Sequence, residues 1–191
     1  MIDKKELARI FSWLEFDFAD DVGILNHCLL VGGVANFLAV KLKAVGENID
    51  PDLVHLVSVL HDIGKVNDGP QDRFHVTIGS KILRAAGRHD LAKSVLNHQP
   101  YSFTEEEKRE YGMSGNDLED WPTKLVCLAD LLVGGEIAQS WEARITDITT
   151  RYPELDKDLM LSTARKIYDE VVDSIGPIQI PFSIYPDYCP D

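Results

Sequence analysis

The sequence predicts an all-α fold. Apolar residues recur at three- and four-residue steps along most of the chain, the spacing of one helix face. No stretch alternates polar and apolar residues as a half-buried strand would. Gly, Pro and Asp fall where such helices should begin and end. With 191 residues, 45% of them hydrophobic, the chain can bury a substantial core. It reads as one helical domain over 1–175, followed by a Pro-rich tail over 176–191.

Residues 3–14 are expected to form a short helix, followed by an acidic, aromatic turn, EFDFADD. A long helix follows over 22–45. Asp50 as N-cap and Pro51 at the first helical position open a third helix, running to about residue 63 with Gly64 as its stop. A helix over 75–86 ends at Gly87, and a shorter one covers 90–97. The EEEKRE stretch suggests a surface helix with a solvated face. Pro122 opens a helix to about Val133, and two more are expected over 136–150 and 154–175. The remaining GPIQIPFSIYPDYCPD holds four prolines and must run extended. It can pack on the body through Ile178, Ile180 and Phe182.

Bulk composition excludes several classes. The longest apolar run, 24–40, is interrupted by His27, the Gly32-Gly33 pair and Asn36, so no membrane span is expected. The start, MIDKKELARIF, lacks the basic-then-apolar order of a signal peptide, and a cytoplasmic location is expected. Cys28 and Cys127 sit in apolar surroundings as core thiols and Cys189 lies in the tail; without a CxxC spacing, no thiolate zinc site is expected. A net charge of −13 argues against general affinity for nucleic acid, which needs clustered Lys and Arg. A small phosphorylated ligand is compatible with it, because bound metal can supply local positive charge. A homo-oligomer is left open.

The informative residues are polar ones on apolar faces. His27 lines up with Val31, Val34 and Leu38. His61 lines up with Val54 and Val57 at a helix end, and Asp62 follows it. His75 shares a face with Gly79, Ile82 and Ala86, and His98 follows Leu91 and Val95. Asp130 is the only charged residue between Leu125 and Val133. A lone histidine on such a face is ordinarily a hydrogen-bonded core residue. Asp130 could cap a helix, pair with an arginine or bind a cation. Six such residues together favour the cation, and imidazoles with carboxylates suit a hard or borderline divalent metal. His55, offset from the His61 line, and His89, in a polar turn, are read as non-ligands.

The strings HDIGK at 61–65, FHVTIGSKIL at 74–83, VLNHQ at 95–99 and KLVCLADLLV at 124–133 together resemble the HD superfamily of metal-dependent phosphohydrolases. The resemblance covers about residues 22–135, and it implies a helical bundle of about seven to nine helices. It also implies that His27, His61, Asp62 and Asp130 hold one metal. His75 and His98 fall where the binuclear members carry ligands for a second, with Asp62 as the bridge. The expected cofactor is then a pair of divalent ions, Mn, Fe, Co, Ni or Mg. The expected reaction is hydrolysis of a phosphoester or phosphoanhydride in a small, nucleotide-like substrate, with Asp62 and Lys65 as catalytic residues. Lys65, one helical turn beyond His61, is placed to contact a phosphate, as are Arg73, Lys81 and Arg144. Some relatives carry an acidic residue at the Lys65 position, and a proton-transfer role there is not transferable. Two other classes fit an HD scaffold: a mixed-valent di-iron oxygenase and a non-catalytic sensor or interaction module.

Overall fold

The computed structural model of the chain describes residues 22–67, 72–113 and 118–184. Among them are eight α-helices and one two-stranded hairpin, so the fold is all-α as expected. The helix expected over 3–14, the turn after it and Cys189 lie outside the described residues.

Helix α1 (Val22–Ala44) is the spine of the bundle. Leu30, Val31, Val34, Leu38 and Leu42 are fully buried along it, and Lys41 and Lys43 sit in its last turn, where cations complement the helix dipole. By length and composition this helix, over Gly23–Ala44 with mean hydropathy 1.7, is apolar enough to cross a bilayer, which corrects the expectation drawn from its polar interruptions. That window is 61% buried against the rest of the protein, so its apolar character is used inside the bundle.

Helix α2 (Pro51–Val59) begins as expected, with the Asp50 carboxylate accepting from the Asp52 and Leu53 N–H groups at 3.0 and 3.5 Å. It ends at Val59 and not near residue 63. The chain turns at Leu60, the His61 N–H donates to the Ser58 carbonyl at 3.4 Å, and a 3₁₀ turn covers Ile63–Asn67. Gly64 is therefore no helix stop. A Cβ there would collide with the carbonyl oxygen of His75 and stand 2.6 Å from the Gly79 nitrogen. Only a residue without a side chain lets the His61-Asp62 turn seat its backbone directly on the next helix.

That helix, α3 (His75–Ala85), packs on α4 (His89–Asn97) after a turn at Gly87. Helix α5 (Glu105–Tyr111) starts with a capping box, Thr104 and Glu107 each bonding the other's backbone N–H. Its face is not wholly solvated: Lys108 is buried and reaches Glu105 at 2.7 Å. Helix α6 (Trp121–Leu131), capped by Asp120, stops just short of strands β1 (Val133–Gly134) and β2 (Ile137–Ala138). These pair antiparallel, Val133 opposite Ala138, around Gly135 at φ +59°. The hairpin displaces the start of α7 to Trp141 (Trp141–Arg151, capped by Ser140). Strands of two residues are too short to show alternation, so the sequence pattern could not reveal them. Helix α8 (Lys157–Ile175) follows its Asp156 cap. Ile178, Ile180 and Ile184 of the tail pack against the core; the Phe182 side chain lies outside the description.

Two apolar clusters form the core. One joins α1, α6, α7 and α8; the other joins α2, α3, α4 and the first turns of α1. Helices α1 and α6 contribute to both, and each carries one polar residue of the cluster described next.

Candidate metal centre

Five elements bring the six singled-out residues together: His27 on α1, His61 and Asp62 in the turn after α2, His75 at the first position of α3, His98 at the end of α4, and Asp130 on α6. All are buried. The ligand atoms of His27, His61 and Asp130 lie within 4.8 Å of one another, and so do those of Asp62, His75 and His98. Asp62 joins the groups. Its Oδ2 is 3.4 Å from His61 Nε2 and 3.8 Å from His27 Nε2, while its Oδ1 is 3.3 Å from His75 Nε2. Asp130 Oδ1 stands 3.2 Å from His27 Nε2 and 3.7 Å from His61 Nε2. His75 and His98 face each other through Nε2 at 3.4 Å.

The far side of each ring explains why these nitrogens converge. His27 Nδ1 donates to the Gly135 carbonyl at 3.0 Å, His61 Nδ1 to Ser58 at 2.7 Å and His98 Nδ1 to Val95 at 2.8 Å. A backbone acceptor on Nδ1 fixes the neutral tautomer with the lone pair on Nε2. Lone pairs and carboxylate oxygens then point at one another across 3.2–3.8 Å. Protons or cations must lie among them, since such a cluster would otherwise repel itself. Asp62 Oδ1 and His61 Nε2 have no hydrogen-bond partner among the described residues. Such buried acceptors, gathered in two sets of three around one shared carboxylate, fit divalent cations with nitrogen and oxygen ligands.

Electrostatics agree with this arrangement. Burial alone would lift the Asp62 carboxyl, but His61, Lys65, His75 and His27 outweigh it and hold it ionised, far below the usual carboxylate range. Burial also opposes ionisation of Asp130, and His27 and His61 beside it drive its pKa well down. At His98 burial, then the His61 and His75 imidazoles, push the pKa down to about 3, so its lone pair stays available. Burial depresses His61 too, yet Asp62 and Asp130 beside it raise its pKa overall.

Lys65, carried back by the 3₁₀ turn and not by a continuing helix, places Nζ 2.8 Å from Asp62 Oδ2. A cavity of about 670 Å³ opens from Lys65, Gln99 and Asp130 toward α7 and α8, with Arg73 and Arg144 also in its wall. Arg73 is bound to Glu107 in two contacts, 2.7 and 3.3 Å, and to the Ser102 carbonyl at 3.2 Å. Lys81 is not part of this wall. It is exposed on α3, whose buried side is set by His75, Val76, Gly79 and Leu83.

Three neighbours escaped the sequence reading. Gln99 donates from Nε2 to Asp130 Oδ2 at 3.1 Å, leaving Oδ1 to face the histidines; its place directly after His98 was the available signal. Gly135, in a hairpin too short to foresee, orients His27. Cys28 Sγ lies within 4.8 Å of ligand atoms of His61 and Asp62, but burial and the nearby Asp62 push its thiol well above its ordinary value; a protonated thiol is a poor ligand. His55 is buried, its Nδ1 donating to the Gly32 carbonyl at 3.2 Å, and His89 is exposed.

An all-α bundle that gathers buried histidines and aspartates from five elements is a metal-binding helical domain. Residues 24–134 match the HD domain family, and the chain belongs to that family, a superfamily whose members are generally metal-dependent phosphohydrolases. It is 35% identical over 118 residues to an uncharacterized protein of Methanocaldococcus jannaschii, covering 59% of this chain and 67% of that one. It is 29% identical over 94 residues to ribonuclease Y of Thermotoga petrophila and 33% over 92 residues to ribonuclease Y of Alkaliphilus metalliredigens. Those matches cover 49% and 48% of this chain and 18% of each relative. No solved structure matches the chain.

Proposed function

We propose that the chain hydrolyses a phosphoester or phosphoanhydride of a small phosphorylated metabolite at a binuclear metal centre. The observation that carries this reading is the Asp62 carboxylate, whose two oxygens face separate imidazole groups beside a cavity with cationic walls. His27, His61, Asp62 and Asp130 would hold one divalent ion, and Asp62, His75 and His98 a second. Such ions supply a water-derived nucleophile at neutral pH and neutralise charge on phosphoryl oxygens. The residues of the chain hold and aim the rest. Neutral imidazoles keep the centre attractive to an anion while two carboxylates anchor it. Lys65, beside Asp62 and in the cavity wall, is assigned to a phosphoryl oxygen of the substrate, where its ammonium offsets developing charge.

A substrate of small size follows from two quantities. A cavity of about 670 Å³ is in the range that encloses a small organic ligand. The formal charge of −13 disfavours a long phosphate backbone. The ribonuclease Y relatives carry RNA in their name, and RNA is therefore a necessary arm of the test. A cytoplasmic setting without membrane contact belongs to the same reading.

The experiment is a panel of generic phosphoesters, mononucleotides and a short RNA, assayed with Mn, Co, Ni or Mg. Metal-dependent phosphate release from small esters, lost in His61→Ala, is the expected result. Turnover unchanged in His61→Ala overturns the assignment of the centre, and cleavage confined to RNA overturns the substrate class. Oxygen consumption by the iron-loaded protein without phosphate release assigns it to the oxygenase class instead.

A further inference from the structure

The wall of the cavity that opens from the metal centre holds donors without a hydrogen-bond partner among the described residues. Tyr101, in the 3₁₀ turn after α4 (Pro100–Ser102), is only 4% exposed, and its phenol oxygen has no hydrogen-bond partner among the described residues. Burial pushes that phenol well above its ordinary pKa, with the Arg144 guanidinium close enough to act against the rise; it remains an O–H donor. Arg144, on α7, has a buried Nε without a hydrogen-bond partner among the described residues. Both side chains line the cavity that begins at Asp130. A buried donor left unsatisfied costs on the order of 1–3 kcal/mol, and two of them side by side in one wall call for an acceptor.

The charge distribution says what kind. Among the cations of the wall, Lys65 is paired with Asp62, Arg73 with Glu107 and Lys108 with Glu105. Arg144 and Arg151 share one oxygen, Asp147 Oδ2, at 3.1 and 2.8 Å. One carboxylate oxygen thus serves two guanidiniums, and Glu142, the other acid of α7, is not in the cavity wall. Glu105, Glu154 and Asp156 also line the cavity, but all three are exposed, and Asp156 is engaged in capping α8 through the Leu159 N–H at 2.9 Å. The acids thus sit at the rim, and the unsatisfied donors sit inside it.

We infer that Tyr101 and Arg144 form a second anion subsite, so that the substrate carries a carboxylate or a second phosphate beyond the phosphate that reacts. The inference rests on the proposed function only for which end of the cavity takes the reacting phosphate. An anionic oxygen placed against α7 accepts from the Tyr101 O–H and the Arg144 guanidinium. Charged hydrogen bonds of this kind are the stronger ones. The apolar residues flanking Arg144, Ile148 and Leu159 among them, would border the carbon frame joining the two anionic groups.

The test uses phosphonates, which bind without being hydrolysed. Dissociation constants of the full chain, loaded with Mn, are measured for phenylphosphonate, 4-carboxyphenylphosphonate and 1,4-phenylenebisphosphonate. At least one doubly charged ligand should bind ten-fold or more tighter than phenylphosphonate, and the better of the two tells carboxylate from phosphate. Tyr101→Phe and Arg144→Gln should each bring that ratio toward one. Equal affinities for all three ligands in the unaltered protein overturn the subsite, as does a ratio that survives both substitutions. Preferential binding without hydrolysis of the matching phosphate esters would leave the subsite standing and sink the phosphohydrolase reading alone.

Discussion

Individual residues explain why the centre is poised for cations. The imidazoles of His27, His61 and His98 are each locked by a backbone carbonyl on Nδ1, and the Asp130 carboxylate is partitioned by Gln99, with one oxygen to the amide and one to the histidines. Loss of such an outer partner typically costs 10–100-fold in metal affinity. Gln99→Leu should therefore weaken Mn binding by about that factor, read by calorimetry, while the melting temperature of the metal-free protein stays near its original value. His98 offers a pH test on metal-free protein. Its folded pKa of about 3 lies below the ordinary 6.5, so between those values the unfolded chain holds a proton that the folded one refuses. Its contribution thus becomes unfavourable as pH falls through 6.5, by roughly 1.4 kcal/mol per pH unit. Relative to His98→Gln, the original protein should lose stability in denaturant titrations between pH 7 and 5. The histidines and aspartates were legible in the sequence because each breaks an apolar face. Gln99 and Tyr101 were not, because their roles arise from a turn that brings residues from α4 to α6.

At the level of elements, the decisive piece is the turn after α2. Helical spacing correctly placed α2, α3, α4 and α6 and their caps, since Asp50, Gly87 and Pro122 act locally. It placed the end of α2 too late, because nothing local forbids a helix through His61. The constraint is tertiary: Gly64 meets the backbone of His75 and Gly79, and this contact presses the His61-Asp62 turn against α3 and brings His75 to Asp62. Gly64→Ala should cost at least ~3 kcal/mol, the upper part of the range for overpacking a well-packed site, since backbone and not a flexible side chain stands in the way. Chemical denaturation measures it. A cost below ~1 kcal/mol would mean that the turn can lift away without consequence. The β1–β2 hairpin shows a second limit, in that two short strands leave no period to read yet supply the carbonyl that orients His27.

For the whole molecule, a protein of net charge −13 keeps a cavity with five cationic side chains in its wall, Lys65, Arg73, Lys108, Arg144 and Arg151. Fold class and metal cluster could be read before the structure because both are written in helical periodicity. The cavity could not, because it is made by α7 and α8 closing over α5, α6 and the segment after α4. The central claim is that one carboxylate, Asp62, joins two metal sites. Titration of the metal-free protein with Mn, followed by calorimetry, tests it most directly, with Asp62→Asn and His98→Ala beside the unaltered chain. Two ions per chain are predicted for the unaltered protein, one for His98→Ala, and a loss of affinity at both sites for Asp62→Asn. A single ion in the unaltered protein, or Asp62→Asn retaining two at full affinity, would contradict it.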